Sequence, residues 1–410
     1  MERYVSAFGL FVMIGLAWLM SAHRWRVNWR LVATGLLLQF AFAWLTLKTK
    51  PGRETFDAIG MLFTKVLDFV DQGSVFVFGE NFKSFYFAFK VLPTIIFFSS
   101  LMSVLYYLGV MQRVVQAMAW VMQRTMRTSG AESLSAAANI FVGQTEAPLV
   151  IRPYVARMTN SELMAIMVGG FATIAGGVLA AYVGMGIDAG HLMTASIISA
   201  PAGLLIAKVL QPEVDQPETL GNTETTLPQT NSNVIEAAAD GASEGLKLAL
   251  NVAAMLIAFL GLIAMLDWML GSLGSFFFGQ TWSFKTLLGY LFAPLAWLIG
   301  VPNQDCVRVG ELLGIRMAAN EFIAYQQMAD WATHPELGVT LTRRSRTLLT
   351  YALCGFANFG SIGIQIGGIG ALAPERRGDL ARLGLRAMLG GTIACLMTAC
   401  VAGVLLGDDE

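Results

Sequence analysis

Phe141-Val-Gly-Gln-Thr-Glu-Ala-Pro-Leu149 and Met317-Ala-Ala-Asn-Glu-Phe-Ile-Ala-Tyr325 each set one glutamate in an apolar stretch, beside residues that break a simple helix. A carboxylate inside a bilayer costs about 3 kcal/mol even on the lenient insertion scale, so it normally faces a protein-lined cavity and marks a substrate or ion path. Glu146 and Glu321 therefore locate the working centre of a transporter. Proline removes a backbone donor and clashes with the preceding turn. Gly143, Pro148 and Pro153 thus argue against one continuous helix over 139–154. The alternative is a hairpin whose tip stops inside the membrane, allowed only where protein or water satisfies the exposed backbone. Such a tip offers free N–H groups from one arm and free carbonyls from the other.

The rest of the chain fits that setting. Of 410 residues, 55% are hydrophobic and only 13% charged, the composition of a polytopic membrane protein. A span needs roughly 20 apolar residues. Charge-free runs of about that length lie at 4–22, 31–47, 91–112, 163–187, 189–207, 248–266, 347–374 and 387–407, eight in all. Glycines mark the run at 347–374 as tilted or broken. The first run carries Glu2 and ends at His23-Arg-Trp-Arg26 without a small-residue cleavage site, which favours a retained helix over a signal peptide. The basic run 23–30, with Arg113, Arg124, Arg127, Arg376, Arg377, Arg382 and Arg386, is cytoplasmic by the positive-inside rule. Lys48, Lys50, Arg53, Arg343, Arg344 and Arg346 then fall on the other side, so charge alone orients the chain weakly. The net charge of −1 identifies no partner.

Phe56, Ile59, Phe63, Val66 and Val70 recur at helical spacing with Asp57, Lys65 and Asp68 off that face. This suits an amphipathic helix, in the interface plane or packed on the spans. The segment 286–304 is either its counterpart or a ninth span. The polar tract 211–233 reads as a loosely held linker. Around it lies an internal repeat. Gly170-Phe-Ala-Thr-Ile-Ala-Gly-Gly177 follows the Glu146 segment, and Gly355-Phe-Ala-Asn-Phe-Gly-Ser-Ile362 follows the Glu321 segment. Each is followed by one more apolar run. If 286–304 stays interfacial, an odd number of spans separates the two copies and makes them inverted, a recurring transporter design.

Gln144, Thr145, Glu146, Asn320, Glu321, Asn358, Ser361 and Gln365 supply donors and acceptors with no basic residue among them. An anionic substrate calls for Arg or Lys, so neutral solutes rich in hydroxyls and amide-like edges fit better. Phe356 offers an aromatic ring an apolar wall. The four cysteines lack ligand or disulfide spacing, and Gly241-Ala-Ser-Glu-Gly245 matches a nucleophile pattern without the strand that pattern requires. No nucleophile or metal cluster accompanies either glutamate, so an enzyme is not expected.

At these residues the sequence resembles the bacterial concentrative nucleoside transporters, sodium/nucleoside symporters. The matching stretches are Gly143-Gln-Thr-Glu-Ala-Pro-Leu149, Asn320-Glu-Phe-Ile-Ala-Tyr325 and Cys354-Gly-Phe-Ala-Asn-Phe-Gly-Ser-Ile-Gly-Ile-Gln-Ile-Gly-Gly-Ile-Gly370. The resemblance implies an all-α polytopic membrane protein of about eight transmembrane helices, two re-entrant hairpins and inverted repeats, with a scaffold and an elevator-type transport domain. It implies scaffold spans and an interfacial helix at 1–128, a first transport repeat at 129–210, and a polar linker at 211–245. A scaffold span and interfacial segment follow at 246–305, and a second transport repeat at 306–410. Gln144, Thr145 and Glu146 would bind the nucleobase edge, with Val178 and Phe356 packing on the base. Glu321, Asn358 and Ser361 would hold the ribose hydroxyls. Sodium, the coupling ion, would take Asn139, the Val142 carbonyl, Thr173 and the Ile174 carbonyl. No other cofactor is implied. Thr173 and Gly360 stand where serine is frequent in the family. The implied function is sodium-coupled import of nucleosides of the uridine, cytidine or adenosine type across the bacterial inner (plasma) membrane, by a homotrimer in the lipid bilayer, with no nucleic acid involved. A proton-coupled symporter of the same fold is the alternative.

Overall fold

The computed structural model describes residues 1–85, 87–221, 231–278 and 282–407. The described residues form helices and connecting turns. The first two are α1 (Glu2–Leu19) and α2 (Trp29–Leu47), the second capped by the Asn28 side chain, which accepts from Arg30 N and Leu31 N. The amphipathic segment becomes α3 (Lys50–Phe78), longer than its periodic core. Next come α4 (Leu92–Tyr107) and α5 (Val110–Met126). The first repeat holds α6 (Gly130–Ala138), a turn with a 3-10 helix over Ala147–Ile151, α7 (Arg152–Val155), α8 (Asn160–Ala172), α9 (Gly176–Gly184) and α10 (Ala189–Leu210). Between the repeats stand α11 (Val234–Phe278) and α12 (Phe284–Leu298). The second repeat holds α13 (Cys306–Ala318), α14 (Glu321–Thr333), α15 (Arg343–Leu353), α16 (Phe359–Leu372) and α17 (Arg377–Leu405).

Among the described residues, seven stretches are long and apolar enough to cross a membrane: Glu2–Leu19, Trp29–Leu47, Phe87–Tyr107, Asn160–Gly184, Ala189–Leu210, Val234–Phe276 and Pro374–Leu405. They match seven of the eight expected runs. The eighth, 347–374, is split: α15 stops at Leu353 and α16 starts at Phe359, across the Gly355 segment. The segment 286–304 forms α12, a 15-residue apolar helix packed along α13.

Hydrogen bonds sort the helix ends into two faces. Ala22 N donates to Leu210 O (2.9 Å), and Arg386 Nη2 donates to Leu210 O (2.7 Å) and Met20 O (3.3 Å). The ends of α1 and α10 and the start of α17 therefore share one face. At the other, Arg3 Nε donates to Leu406 O (2.6 Å), and Arg344 donates to Gly403 O (2.9 Å) and Gly300 O (3.0 Å). Arg344 is buried and lies 3.4 Å from Glu2, so this apparent violation of the positive-inside rule is an internal group rather than a free loop charge.

Each repeat is clasped at its base. At the first, Ser129 and Thr159 cap α6 and α8 through capping boxes with Glu132 and Glu162. The boxes are cross-linked, because Ser129 Oγ donates to Glu162 Oε1 (2.6 Å). Lys208, at the end of α10, reaches Glu132 (2.7 Å), Glu213 (3.2 Å) and Ser161 Oγ (2.9 Å). At the second, Asp305 accepts from Thr342 N (3.0 Å), Thr342 Oγ1 (2.8 Å) and Ser345 Oγ (2.5 Å), joining the starts of α13 and α15. The first clasp sits on the Leu210 face and the second on the Gly403 face. The repeats are inverted.

The linker expectation needs correction at both ends. Residues 211–221 are tied to the first clasp: Gly130 N and Ala131 N donate to Thr219 O (3.0 Å) and Thr219 Oγ1 (3.1 Å), and Arg157 pairs with Glu218 (3.0 Å). From Val234 onward the chain is already α11. Polar residues there mark an exposed helix face, whereas Gly241 and Gly245 let the helix close on α4. A Cβ at Gly241 would stand 2.7 Å from Ser99 O, and one at Gly245 2.7 Å from Ile96 Cα. Residues 222–230 of the expected linker lie outside the described residues.

Candidate functional site

The two hairpin tips and the two span breaks meet at the centre. In the first repeat, α6 ends at Ala138 and α8 at Ala172, so two helix C-termini, the negative ends of their dipoles, converge near Asn139 and Thr173. Asn139 lies against α8, with Nδ2 3.4 Å from the Cβ position of Gly169, whose carbonyl accepts from Thr173 Oγ1 (2.9 Å). Asn139 is buried, and neither Oδ1 nor Nδ2 has a hydrogen-bond partner; Ser135 Oγ, one turn earlier, is likewise unpartnered. Orphaned buried amide and hydroxyl oxygens beside two helix C-termini fit a small hard cation. Val142 is half-buried in the turn and Ile174 is buried in the break.

In the second repeat the polarity is reversed. Asn320 caps α14 by accepting from Ile323 N (3.0 Å), and Asn358 caps α16 by accepting from Ser361 N (2.9 Å). Two helix N-termini thus surround the Glu321 carboxylate, which is only 4% exposed. Its Oε1 accepts from Tyr182 O–H (3.0 Å) and its Oε2 from Asn358 Nδ2 (3.4 Å). These donors and the positive helix ends are what make a buried carboxylate tolerable there.

The breaks themselves touch. Phe356 N donates to Thr173 O (3.2 Å), and Gly355 is pressed so closely on α8 that a Cβ would stand 2.6 Å from Phe171 O. The buried Arg316 guanidinium closes this crossing, donating to Gly355 O (3.3 Å) with Nη2 3.1 Å from Cys395 Sγ. From the first hairpin, Gln144 Nε2 donates to Ser361 Oγ (3.2 Å), while Gln365 Nε2 donates to Gln144 Oε1 (3.0 Å). One chain of bonds therefore runs Gln365, Gln144, Ser361, Asn358, Glu321, Tyr182, across both repeats.

Thr145 packs over Gly368, where a Cβ would stand 2.8 Å from Thr145 Cγ2. Val178 is buried one turn before Tyr182 on α9, and Phe356 is half-buried in its break. Glu146 is exposed at the tip turn, its carboxylate folded back over Gly143, while Ala147 and Pro148 beside it are buried.

Three family models cover nearly all of this architecture. "Na+ dependent nucleoside transporter C-terminus" matches residues 191–403, "Na+ dependent nucleoside transporter N-terminus" 8–81, and "Nucleoside recognition" 88–189. The chain belongs to the concentrative, Na+ dependent nucleoside transporter family. A Haemophilus influenzae protein described as an uncharacterized transporter is 46% identical over 98% of this chain and 97% of its own length. Solute carrier family 28 member 3 of Eptatretus stoutii is 48% identical over 98% of this chain, which spans only 61% of that relative's length. A solved transporter, CNTnw in an inward-facing substrate-bound state, superposes with a TM-score of 0.91 at 43% identity, covering 98% of both chains. A variant of it in an outward-facing state gives 0.92 at 43%, covering 98% and 97%. The chain is an integral membrane member of this transporter family.

Within this nucleoside transporter fold, Tyr182 and Ser135 are central residues that reading the sequence missed, and Gln365 is one it named as a polar group without giving it a role. Gln365 follows Ser361 by one helical turn and Tyr182 follows Val178 likewise, so face-sharing with the motif residues was the available signal. Gly360 faces Met255 of α11: a Cβ would come 2.9 Å from Met255 Cε.

Proposed function

We propose that the protein is a sodium-coupled symporter that imports nucleosides across the bacterial inner membrane by an elevator motion, as a homotrimer. The observation that carries this reading is the juxtaposition of two unlike sites on crossing repeats. One is an orphaned oxygen site at paired helix C-termini, around Asn139 and Thr173. The other is a carboxylate and amide cluster at paired helix N-termini, around Glu321 and Asn358. The first would hold sodium, with the Val142 and Ile174 carbonyls. In the second, Glu321, Asn358 and Ser361 would accept and donate to ribose hydroxyls, while Gln144, Thr145 and Glu146 would meet the base edge, and Val178 and Phe356 its faces. Relatives named as sodium/nucleoside cotransporters and a relative solved in inward-facing, intermediate and outward-facing states support coupling and a moving transport part.

The energetics suffice with one cation. Entry down about 100 mV supplies roughly 2.3 kcal/mol. A tenfold sodium gradient adds about 1.4 kcal/mol. Together these sustain accumulation of a few hundredfold, since each factor of ten costs about 1.4 kcal/mol. The test is uptake of radiolabelled uridine into proteoliposomes with and without an inward sodium gradient, at fixed pH and potential. Saturable, sodium-dependent accumulation is expected for the native chain, with loss in Glu321→Gln. Uptake that ignores sodium and follows an imposed proton gradient would overturn the ion assignment.

A further inference from the structure

The geometry points to Gln365 as a positioning residue that fixes the polarity of nucleobase recognition by orienting the Gln144 amide, so that Gln144 offers the base a hydrogen-bond donor. This rests on the reading above that Gln144 faces the base.

An amide side chain can face either way, and its neighbours decide which. Here the decision starts from an atom that has no choice. Met167 O is a backbone carbonyl of α8, an acceptor only, and Gln365 lies 3.1 Å from it. Gln365 must therefore turn its Nε2 toward Met167, since the reverse would set two oxygens against each other. The same Nε2 has a second hydrogen, and Gln144 stands 3.0 Å away. Gln144 must present Oε1 to it, because two amide NH2 groups cannot bond there without a free acceptor. With Oε1 held on the Gln365 side, Gln144 Nε2 points toward α16, where it donates one hydrogen to Ser361 Oγ (3.2 Å). One N–H of Gln144 then remains for a ligand.

The clamp is built into the packing. Gln365 is fully buried, and its Oε1 has no partner, which is the residue of an orientation imposed by its other end. Gly170 makes room for it: a Cβ there would stand 2.8 Å from Gln365 Nε2 and 2.9 Å from Gln144 Cβ. The three positions come from the first hairpin, α8 and α16, so the amide is oriented only when both repeats are assembled. The ligand chemistry follows. The base must place an acceptor, a ring carbonyl or an unprotonated ring nitrogen, at the edge that meets Gln144. On uracil this is a carbonyl oxygen and not the N3–H donor.

The test measures affinity of the purified protein, with sodium present, for uridine and four analogues. Two carry sulfur, a weaker acceptor, in place of the 2-oxygen or the 4-oxygen and keep N3–H; the third carries a methyl group on N3 and keeps both carbonyls; the fourth lacks a ribose hydroxyl. In the native protein, sulfur at the contacted carbonyl is expected to weaken binding by about fivefold to tenfold, up to the size of one neutral hydrogen bond. Gln144→Leu should erase that contrast and leave the penalty for a missing ribose hydroxyl intact. Gln365→Leu cannot donate at all, and Gln365→Glu cannot donate to both Met167 O and Gln144 Oε1. In both variants the carbonyl contrast should collapse toward unity, an effect a merely structural role would not produce. Each readout is a ratio within one protein, so reduced yield does not enter it. If either Gln365 variant fails to fold, the native and Gln144→Leu arms still decide the polarity. A Gln144-dependent penalty that follows N3–H, or Gln365 variants that keep the native contrast, would overturn the inference alone. Insensitivity of every base analogue to Gln144→Leu would overturn it together with the base-edge reading.

Discussion

Glu321 is held by two neutral donors from different elements, Tyr182 on one oxygen and Asn358 on the other. Asn358 has no freedom in this, because its own Oδ1 is committed to capping α16 at Ser361 N. Tyr182 is fully buried and its ring lies against Tyr325, with centroids 4.3 Å apart, so its hydroxyl is equally fixed. Tyr182→Phe removes one donor and leaves a buried carboxylate oxygen unmet, a penalty of about 1–3 kcal/mol. We expect a large rise in the uridine concentration for half-maximal uptake, with the protein still folded. In a Glu321→Gln background the same change should add little, because residues in one network do not act additively. Because Glu321→Gln abolishes uptake, equilibrium uridine affinities of the four purified proteins check this; full additivity would show that Tyr182 acts elsewhere. Glu321 and Asn358 were legible in the sequence, since a carboxylate in an apolar stretch is costly enough to announce itself. Tyr182 was not, and Gln365 stood out only as a polar group without a role, because a tyrosine or glutamine on an apolar helix gains its meaning only from the partner brought to it from another repeat.

Among the elements, the clasps tie each hairpin to the spans that follow it. Lys208 is the buried cation of the first clasp, paired with Glu132 and bonded to Glu213 and Ser161. Removing one partner of a buried ion pair strands the other, at about 3–5 kcal/mol, whereas replacing both can be nearly neutral. Lys208→Met should therefore lower the unfolding temperature of the detergent-solubilised protein sharply, and Lys208→Met with Glu132→Gln should recover much of the loss. A double variant no more stable than Lys208→Met would show that the pair is not the seat of the effect. The helices of this region were readable from apolar run length, and the breaks from Gly and Pro. The clasp was hidden, because its members at Ser129, Thr159, Lys208 and Glu213 look like ordinary loop-end polar residues. Their burial depends on the chain after α10 folding back to place Thr219 on the start of α6. That fold-back also explains why a polar composition misled the reading of 211–221 as loose.

At the scale of the whole molecule, the proposed division into scaffold and transport parts turns on which helix contacts must break during transport. The α4–α11 contact is close along Gly241 and Gly245, and Ser100 Oγ donates to Ala238 O (2.8 Å), as suits two helices of one static body. The α4–α9 contact crosses from the scaffold to the first repeat, where a Cβ at Gly177 would stand 3.1 Å from Ser99 Oγ. Both contacts look alike in a single state, and the sequence distinguishes them only through the repeat boundaries. They differ in what an elevator does to them: α9 must slide past α4, while α11 need not. Cysteines at Ser99 and Gly177 are placed within disulfide reach, with the side-chain vectors facing across the interface. The oxidised Ser99→Cys/Gly177→Cys protein should bind sodium and unfold no earlier than its reduced form, yet show no sodium-driven uridine uptake. Reduction should restore uptake to the level of Ser99→Cys and Gly177→Cys assayed singly. Gly177→Cys sits beside Val178, so the single variant sets the baseline against which the cross-link is judged. Full uptake with the disulfide closed would mean that α4 and α9 travel together, and the boundary between moving and static parts would have to lie elsewhere.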